Sequence, residues 1–255
     1  MTRKSREKSG CRFSRLIAWG IIFLIAGSVT APAQEGHPLY PAGLPTGYVG
    51  QGALLQPLPM QGYYQPVKII PPEGTIVSFA LQDDFVPKAA PAQVGLLVGH
   101  VYRFRMTEIP YNEGTELYPT LEIINRLYSP QGKENDFPVE IEITQEDLEI
   151  ALNGHLVTRV VYLEDPLTAL PTKGEDKTVL TQNLEPTQNP LHAAEQYGRP
   201  MAILRMGNRQ PLPGEHDPAF FFGMPPWQDA VVVAQPVQQV HPVIIEAQSG
   251  MRTVR

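Results

Sequence analysis

The chain has 255 residues, a formal net charge of −6 and 27 prolines, about twice the roughly 5% proline of an average protein. That much proline argues against an all-helical bundle and a central parallel sheet, because proline breaks helices and donates nothing to a ladder. The acidic balance argues against a nucleic-acid binder, which needs a basic footprint, and a single cysteine rules out a disulfide framework or a multi-cysteine zinc site.

In chain order the first element is an address. Arg3, Lys4, Arg6, Lys8, Arg12 and Arg15 precede an apolar run over 16–29, which is followed by Ala31-Pro32-Ala33. A basic region, an apolar region and a small-x-small end are the three parts of a secretory signal peptide, with Ala31 and Ala33 marking cleavage after residue 33. The rival reading is an uncleaved anchor, although 14 apolar residues fall short of the ~20 that cross a bilayer. Cys11 lies before the run, so it is no lipid acceptor at a cleavage site. Without residues 1–33 the chain has no cysteine and a net charge of −11. The expected location is the periplasm or cell envelope.

Residues 34–66 read as a Pro/Gly/Gln-rich linker, with six prolines, six glycines and Glu35 as the only charge. Such composition is extended and semi-rigid, although Tyr40, Tyr48, Tyr63 and Tyr64 leave open a sticky surface. Residues 67–208 carry the periodicities of a folded domain. Strands are expected over 75–81, 100–106, 117–127, 137–143, 155–163 and 201–206. Tyr102, Phe104 and Met106 alternate with Arg103 and Arg105, as in a half-buried strand. Pro119 marks an edge or a bulge, whereas 155–163 is apolar on both faces, as a central strand is. Two short helices fit between strands. One spans 145–152, with Thr144 and Asp147 as a capping box and Asn153-Gly154 as its stop. The other opens on Asn189-Pro190 and ends at Tyr197-Gly198. The expected fold is mainly β, an antiparallel β-sandwich (Ig-like or similar) with one or two short helices, flanked by disordered Pro-rich tails.

Residues 209–255 form a Pro-rich tail with an aromatic segment. Phe220, Phe221, Phe222 and Trp227 are costly to leave in water, roughly 1.5–3 kcal/mol each. Either they fold back onto the sandwich or they form a partner-docking site. The 230–234 run could add a strand to an exposed edge.

Signatures of catalysis are missing. His37, His100, His155, His192, His216 and His241 make no HExxH pair, and neither a GxSxG elbow nor a phosphate-cradling glycine loop occurs. No catalytic, cofactor-binding or metal-ligating residue is assigned. Asp83, Asp84, Glu164 and Asp165 at strand ends are the weak exception, either as Ca²⁺ ligands or as the paired carboxylates of a glycoside hydrolase. Glu215-His216-Asp217 is a further cluster, in surroundings too loose to preorganise catalysis. Arg103 and Arg105 are expected to pair with Glu140 and Glu142 across strands, and Glu146, Asp147 and Glu149 to form a solvated helix face.

The segments 115–124 (TELYPTLEII), 144–166 (TQEDLEIALNGHLVTRVVYLEDP) and 198–207 (GRPMAILRMG) resemble an uncharacterised family of exported proteins from planctomycete bacteria. The resemblance covers roughly residues 70–210 and implies envelope location, with no activity, ligand or site residue. The expected function is that of an exported non-catalytic envelope protein, a structural or protein-interaction module for an envelope protein or glycan. The alternative is a carbohydrate-active hydrolase or a calcium-dependent binding domain.

Overall fold

Ten strands alternate between two sheets as the chain proceeds. The computed structural model describes residues 44–55, 61–81, 84–167, 169, 181–185, 187–212 and 217–230. The strands are β1 (Tyr64–Ile70), β2 (Ile76–Leu81), β3 (Asp84–Lys88), β4 (Ala92–Leu97), β5 (Val101–Thr107), β6 (Thr120–Ile123), β7 (Val139–Glu142), β8 (Val157–Glu164), β9 (Gly198–Met206) and β10 (Trp227–Asp229). Helices α1 (Tyr48–Leu54), α2 (Gln145–Leu152) and α3 (Pro190–Tyr197) complete the set, with one 3-10 turn at Glu134–Asp136. One sheet has the order β10-β4-β1-β7 and the other β3-β2-β5-β6-β9-β8. This is the expected mainly-β, sandwich-like architecture. One pair departs from the antiparallel rule: β1 and β7 run parallel, because the chain visits the other sheet between them.

Period-two alternation builds the core. Tyr102, Phe104 and Met106 of β5 are buried and share one cluster with Val67 and Ile69 of β1, Val94 and Leu96 of β4, and Leu121 and Ile123 of β6. Arg103 and Arg105 point to the opposite, outer face of the six-stranded sheet. The sandwich is closed at both sides. Helix α2 links edge strand β7 to edge strand β8 and buries Leu148 and Ala151 in the core. Its Thr144–Asp147 capping box is present, and Gly154 takes the left-handed conformation at φ 88°. On the other side, residues 217–229 carry the chain to β10, which pairs with β4.

Several expectations are corrected. The linker over 34–66 is not wholly linker: α1 lies within it, with Val49 and Ala53 buried in the core, and β1 starts at Tyr64. Apolar pairs spaced for one helical turn overcame the proline-rich composition. Strand β8 is an edge, not a centre; α2 and α3 pack on it, which accounts for its two apolar faces. Strand β6 is central, so Pro119 marks no edge. It interrupts the ladder locally between the Met106–Leu117 bridge and Thr120. Strands β1, β3, β4 and β10 lie where none was expected.

The expected charge pairs also differ. Glu140 binds Lys68 at 2.9 Å, a neighbour in its own sheet, while Arg103 and Arg105 belong to the other sheet. Asp147 is buried rather than solvated. Arg159 of β8 grips it through two hydrogen bonds of 2.8 Å, fastening α2 to the sheet. The signal segment, Asp83, Glu215, His216 and residues 231–255 lie outside the described residues. Among those described, no helix is long and apolar enough to cross a membrane.

Candidate functional site

The aromatic tail segment is the first candidate to place, and it is spent within the fold. Phe220 and Phe221 are buried and form a second apolar cluster with Tyr118, flanked by Phe85 and Met224. Ring centroids lie 5.0 Å apart for Phe220–Phe221, 5.4 Å for Phe85–Phe221 and 5.7 Å for Tyr118–Phe220, all edge-to-face as the ring quadrupoles prefer. Trp227 packs on Phe79 at 5.6 Å and donates from Nε1 to Ala80 O at 2.9 Å. The Tyr102 hydroxyl donates to Pro226 O and accepts from Leu97 N–H, both at 2.8 Å; burial pushes its pKa far up. Lys88 and Asp229 close the strap as an ion pair. Of the docking set, Phe222 is half-exposed and takes a left-handed φ of 54°. Phe220, Phe221 and Trp227 thus fold back onto the sandwich, each ring with an apolar neighbour in this chain.

Of the strand-end carboxylates that are described, Asp84 does not assemble with Glu164. Asp84 begins β3 at one edge of the six-stranded sheet, and Glu164 ends β8 at the other. Five strand spacings, about 24 Å across the sheet, lie between the two edges, and the register sets Glu164 further along its strand than the Asp84 row. Glycosidase pairs stand about 5–9.5 Å apart. Asp84 is instead turned onto the backbone, accepting from Phe85 N–H at 2.7 Å. Asp217 caps its own turn by accepting from Ala219 N–H at 2.9 Å. Among the described residues no group of three or more His, Cys, Asp or Glu side chains is placed to hold a metal.

Glu164 and Asp165 do lie at a cleft. An open space of about 430 Å³ is lined by Leu163, Glu164, Asp165, Pro166, Glu195, Gln196, Gly198 and Arg199. Its walls follow from one local event, the meeting of the end of β8 with the end of α3. Asn189 accepts from Leu191 N–H at 3.1 Å to start that helix, and Pro190 sits in its first turn. Gly198 then allows a sharp pass: a Cβ there would stand 2.0 Å from Leu163 O. Asp165 N–H donates to Tyr197 O at 3.1 Å, so the strand end is pinned to the helix end.

Aromatic side chains flank this cleft. Tyr162 and Tyr197 face each other at 6.1 Å. Arg199 lies 5.7 Å from the Tyr128 ring, and Arg126 is stacked between Tyr128 at 4.6 Å and Tyr63 at 3.9 Å. The result is a ladder of alternating tyrosine and arginine running from the cleft. Tyr128 is 53% exposed, so its ring is open to a ligand. Burial raises the pKa of Tyr63, Arg126 opposing it. Burial likewise raises Glu195, against the pull of His192, whose Nδ1 stands 3.7 Å from it. Glu195 Oε1 is out of reach of solvent and has no hydrogen-bond partner. That oxygen is not offered to a substrate.

Sequence reasoning found Glu164 and Asp165 but missed Glu195, Arg199, Arg126 and Tyr128. The alternation Arg126-Leu127-Tyr128 was a signal, as was Tyr197-Gly198-Arg199 directly after a helix. Comparison with protein-family models, with curated proteins and with solved structures finds no match to this chain.

Proposed function

We propose that this is an exported, non-catalytic binding module of the cell envelope, and that its β8–α3 cleft takes a segment of neutral glycan. The observation that carries the reading is the cleft itself. Glu164 supplies acceptors and Arg199 donors at this open surface cleft, while Asp165 also accepts from Leu167 N–H and Gln196 Nε2 meets His192 Nε2. Sugar hydroxyls both donate and accept, and their apolar faces suit exposed rings such as Tyr128 and Tyr197. Export is supported by the tripartite segment over residues 1–33, and envelope location also by the resemblance to planctomycete exported proteins. A non-catalytic role is supported by the distance between Asp84 and Glu164 and by the inward turn of Glu195.

The test is titration of the protein with a panel of neutral hexasaccharides, read by tyrosine fluorescence, with a parallel assay for reducing ends. Saturable binding without new reducing ends is expected. It should weaken about tenfold in Tyr128→Ala and Arg199→Ala and be indifferent to a calcium chelator. Absence of binding across the panel, or equal binding by both variants, would overturn the glycan reading. New reducing ends would restore the hydrolase.

A further inference from the structure

The outer face of the six-stranded sheet carries positive charge that the fold leaves unanswered. Register places Arg103, Thr120, Arg205 and Thr158 in one row across β5, β6, β9 and β8. Arg205 is neutralised by Glu122 at 2.9 Å, and Arg105 faces Glu116 at 3.9 Å. Arg103 and Arg209 differ: among the described residues neither has a carboxylate within ion-pair distance. Asp217, eight residues along the chain from Arg209, accepts from Ala219 N–H at 2.9 Å.

The two arginines are also held together. The Arg103 guanidinium lies 3.9 Å over the Phe220 ring and 5.0 Å from that of Phe222, and Arg209 lies 5.7 Å from the same Phe220 ring. Nη1 of Arg103 donates to Phe220 O at 2.6 Å, which fixes the guanidinium, and Nε is out of reach of solvent, so a ligand meets the remaining Nη hydrogens. Burial first, and then repulsion from Arg209, lowers the Arg103 pKa to about 10. Two like charges pinned beside one ring, with unused donors, gain from a bound anion. Guanidinium groups match planar oxoanions best.

We propose that Arg103 and Arg209, walled by Phe220 and Phe222, form a binding site for the carboxylate of a small organic acid. The planar fork selects a carboxylate, and the half-exposed Phe222 ring accepts an apolar body attached to it. A polyanion is disfavoured, because residues 34–255 carry a net charge of −11 that repels extended negative ligands. The site is separate from the glycan cleft. Arg205, in the row of Arg103, is six residues along β9 from Arg199, about 20 Å in a strand.

The experiment titrates the full chain with benzoate, with benzamide as its uncharged isostere and with inorganic phosphate. Calorimetry gives the affinities, and the arginine Nε–H resonances give the place. Benzoate is expected to saturate, to shift the Arg103 and Arg209 resonances, and to bind about tenfold more tightly than benzamide or phosphate. Arg209→Gln, at an exposed position that leaves the fold intact, should weaken benzoate about fivefold. Arg103→Lys keeps the charge but loses the fork, and should also weaken it. Equal binding of benzoate and benzamide, tighter binding of phosphate, or unchanged binding by Arg209→Gln would overturn the proposal.

Discussion

Truncating Phe221 separates a tail that belongs to the core from one that merely follows it. The ring is 3% exposed and has edge-to-face neighbours at 5.0 Å (Phe220), 5.4 Å (Phe85) and 6.3 Å (Tyr118). Phe221→Ala returns about 120 Å² of apolar surface to water, at about 25 cal/mol per Å² about 3 kcal/mol. Each lost ring contact adds about 0.5–1 kcal/mol, part of which relaxation of the surface cluster recovers. The expected loss is thus about 3–4 kcal/mol, within the usual span for Phe→Ala in a core. With a urea m-value of about 2 kcal/mol/M, the midpoint should fall by about 1.5–2 M. Leu212→Ala, at a tail position that is 67% exposed, is the control and should shift nothing. Urea unfolding of the two variants beside the parent decides it. A Phe221→Ala loss below about 0.5 kcal/mol, the level of ordinary surface changes, would refute the packing argument and return the segment to the role of a free anchor.

Three further outcomes are expected. Arg159→Ala leaves the buried Asp147 carboxylate without its two 2.8 Å partners and should cost about 3–5 kcal/mol; a chemical denaturation curve unchanged within about 1 kcal/mol would contradict this. Gly198→Ala drives a Cβ to 2.0 Å from Leu163 O, and because backbone cannot swing aside, a loss of about 1–3 kcal/mol or more is expected. Faster hydrogen exchange at Asp165 N–H is its local readout. Glu195 gives a pH dependence. Its pKa is raised from 4.5 by burial, so the folded state binds more protons, and its contribution to stability is full below the unfolded value and lost as pH rises through the folded one. Glu195→Gln should therefore gain on the parent between pH 4 and pH 7 in urea midpoints; parallel curves would show that the carboxyl is not strained.

What was legible in the chain was what neighbours in sequence decide. The alternation of β5, the capping box at Thr144 and the Asn189-Pro190 helix start all involve residues within a few positions of one another, and the structure carries each of them. Strand rank was not legible. The same apolar double face describes a central strand and an edge strand covered by helices, and only the placement of α2 and α3 shows β8 to be the latter. Composition misled over 34–66 for a similar reason. Proline and glycine counts describe the average of a segment, whereas Val49 and Ala53 are buried in the core and Gly50 lies against the Gly99 turn, where a Cβ on it would come within 3.2 Å of Gly99 Cα.

The cleft shows the limit most clearly, because its parts come from three separated stretches. Glu164 and Asp165 end one strand, Glu195 and Gln196 end a helix some thirty residues on, and Tyr128 sits on a loop that precedes both. Strand-end acids were a fair signal for the first pair but paired them with the wrong partner: Asp84 belongs to the far edge of the same sheet. What brings α3 to β8 is Gly198, the one residue without a Cβ to strike Leu163 O, and a glycine between a tyrosine and an arginine reads in sequence as a helix stop. Its packing role emerges only once β8 and β9 are paired. Gly198→Ala should abolish hexasaccharide binding by opening the wall where Glu164 pairs with Gly198 and Leu163 with Arg199, while leaving benzoate binding at Arg103 and Arg209 unchanged. Loss of both together would mean global unfolding rather than a local wall, and retention of hexasaccharide binding would remove the cleft from the argument.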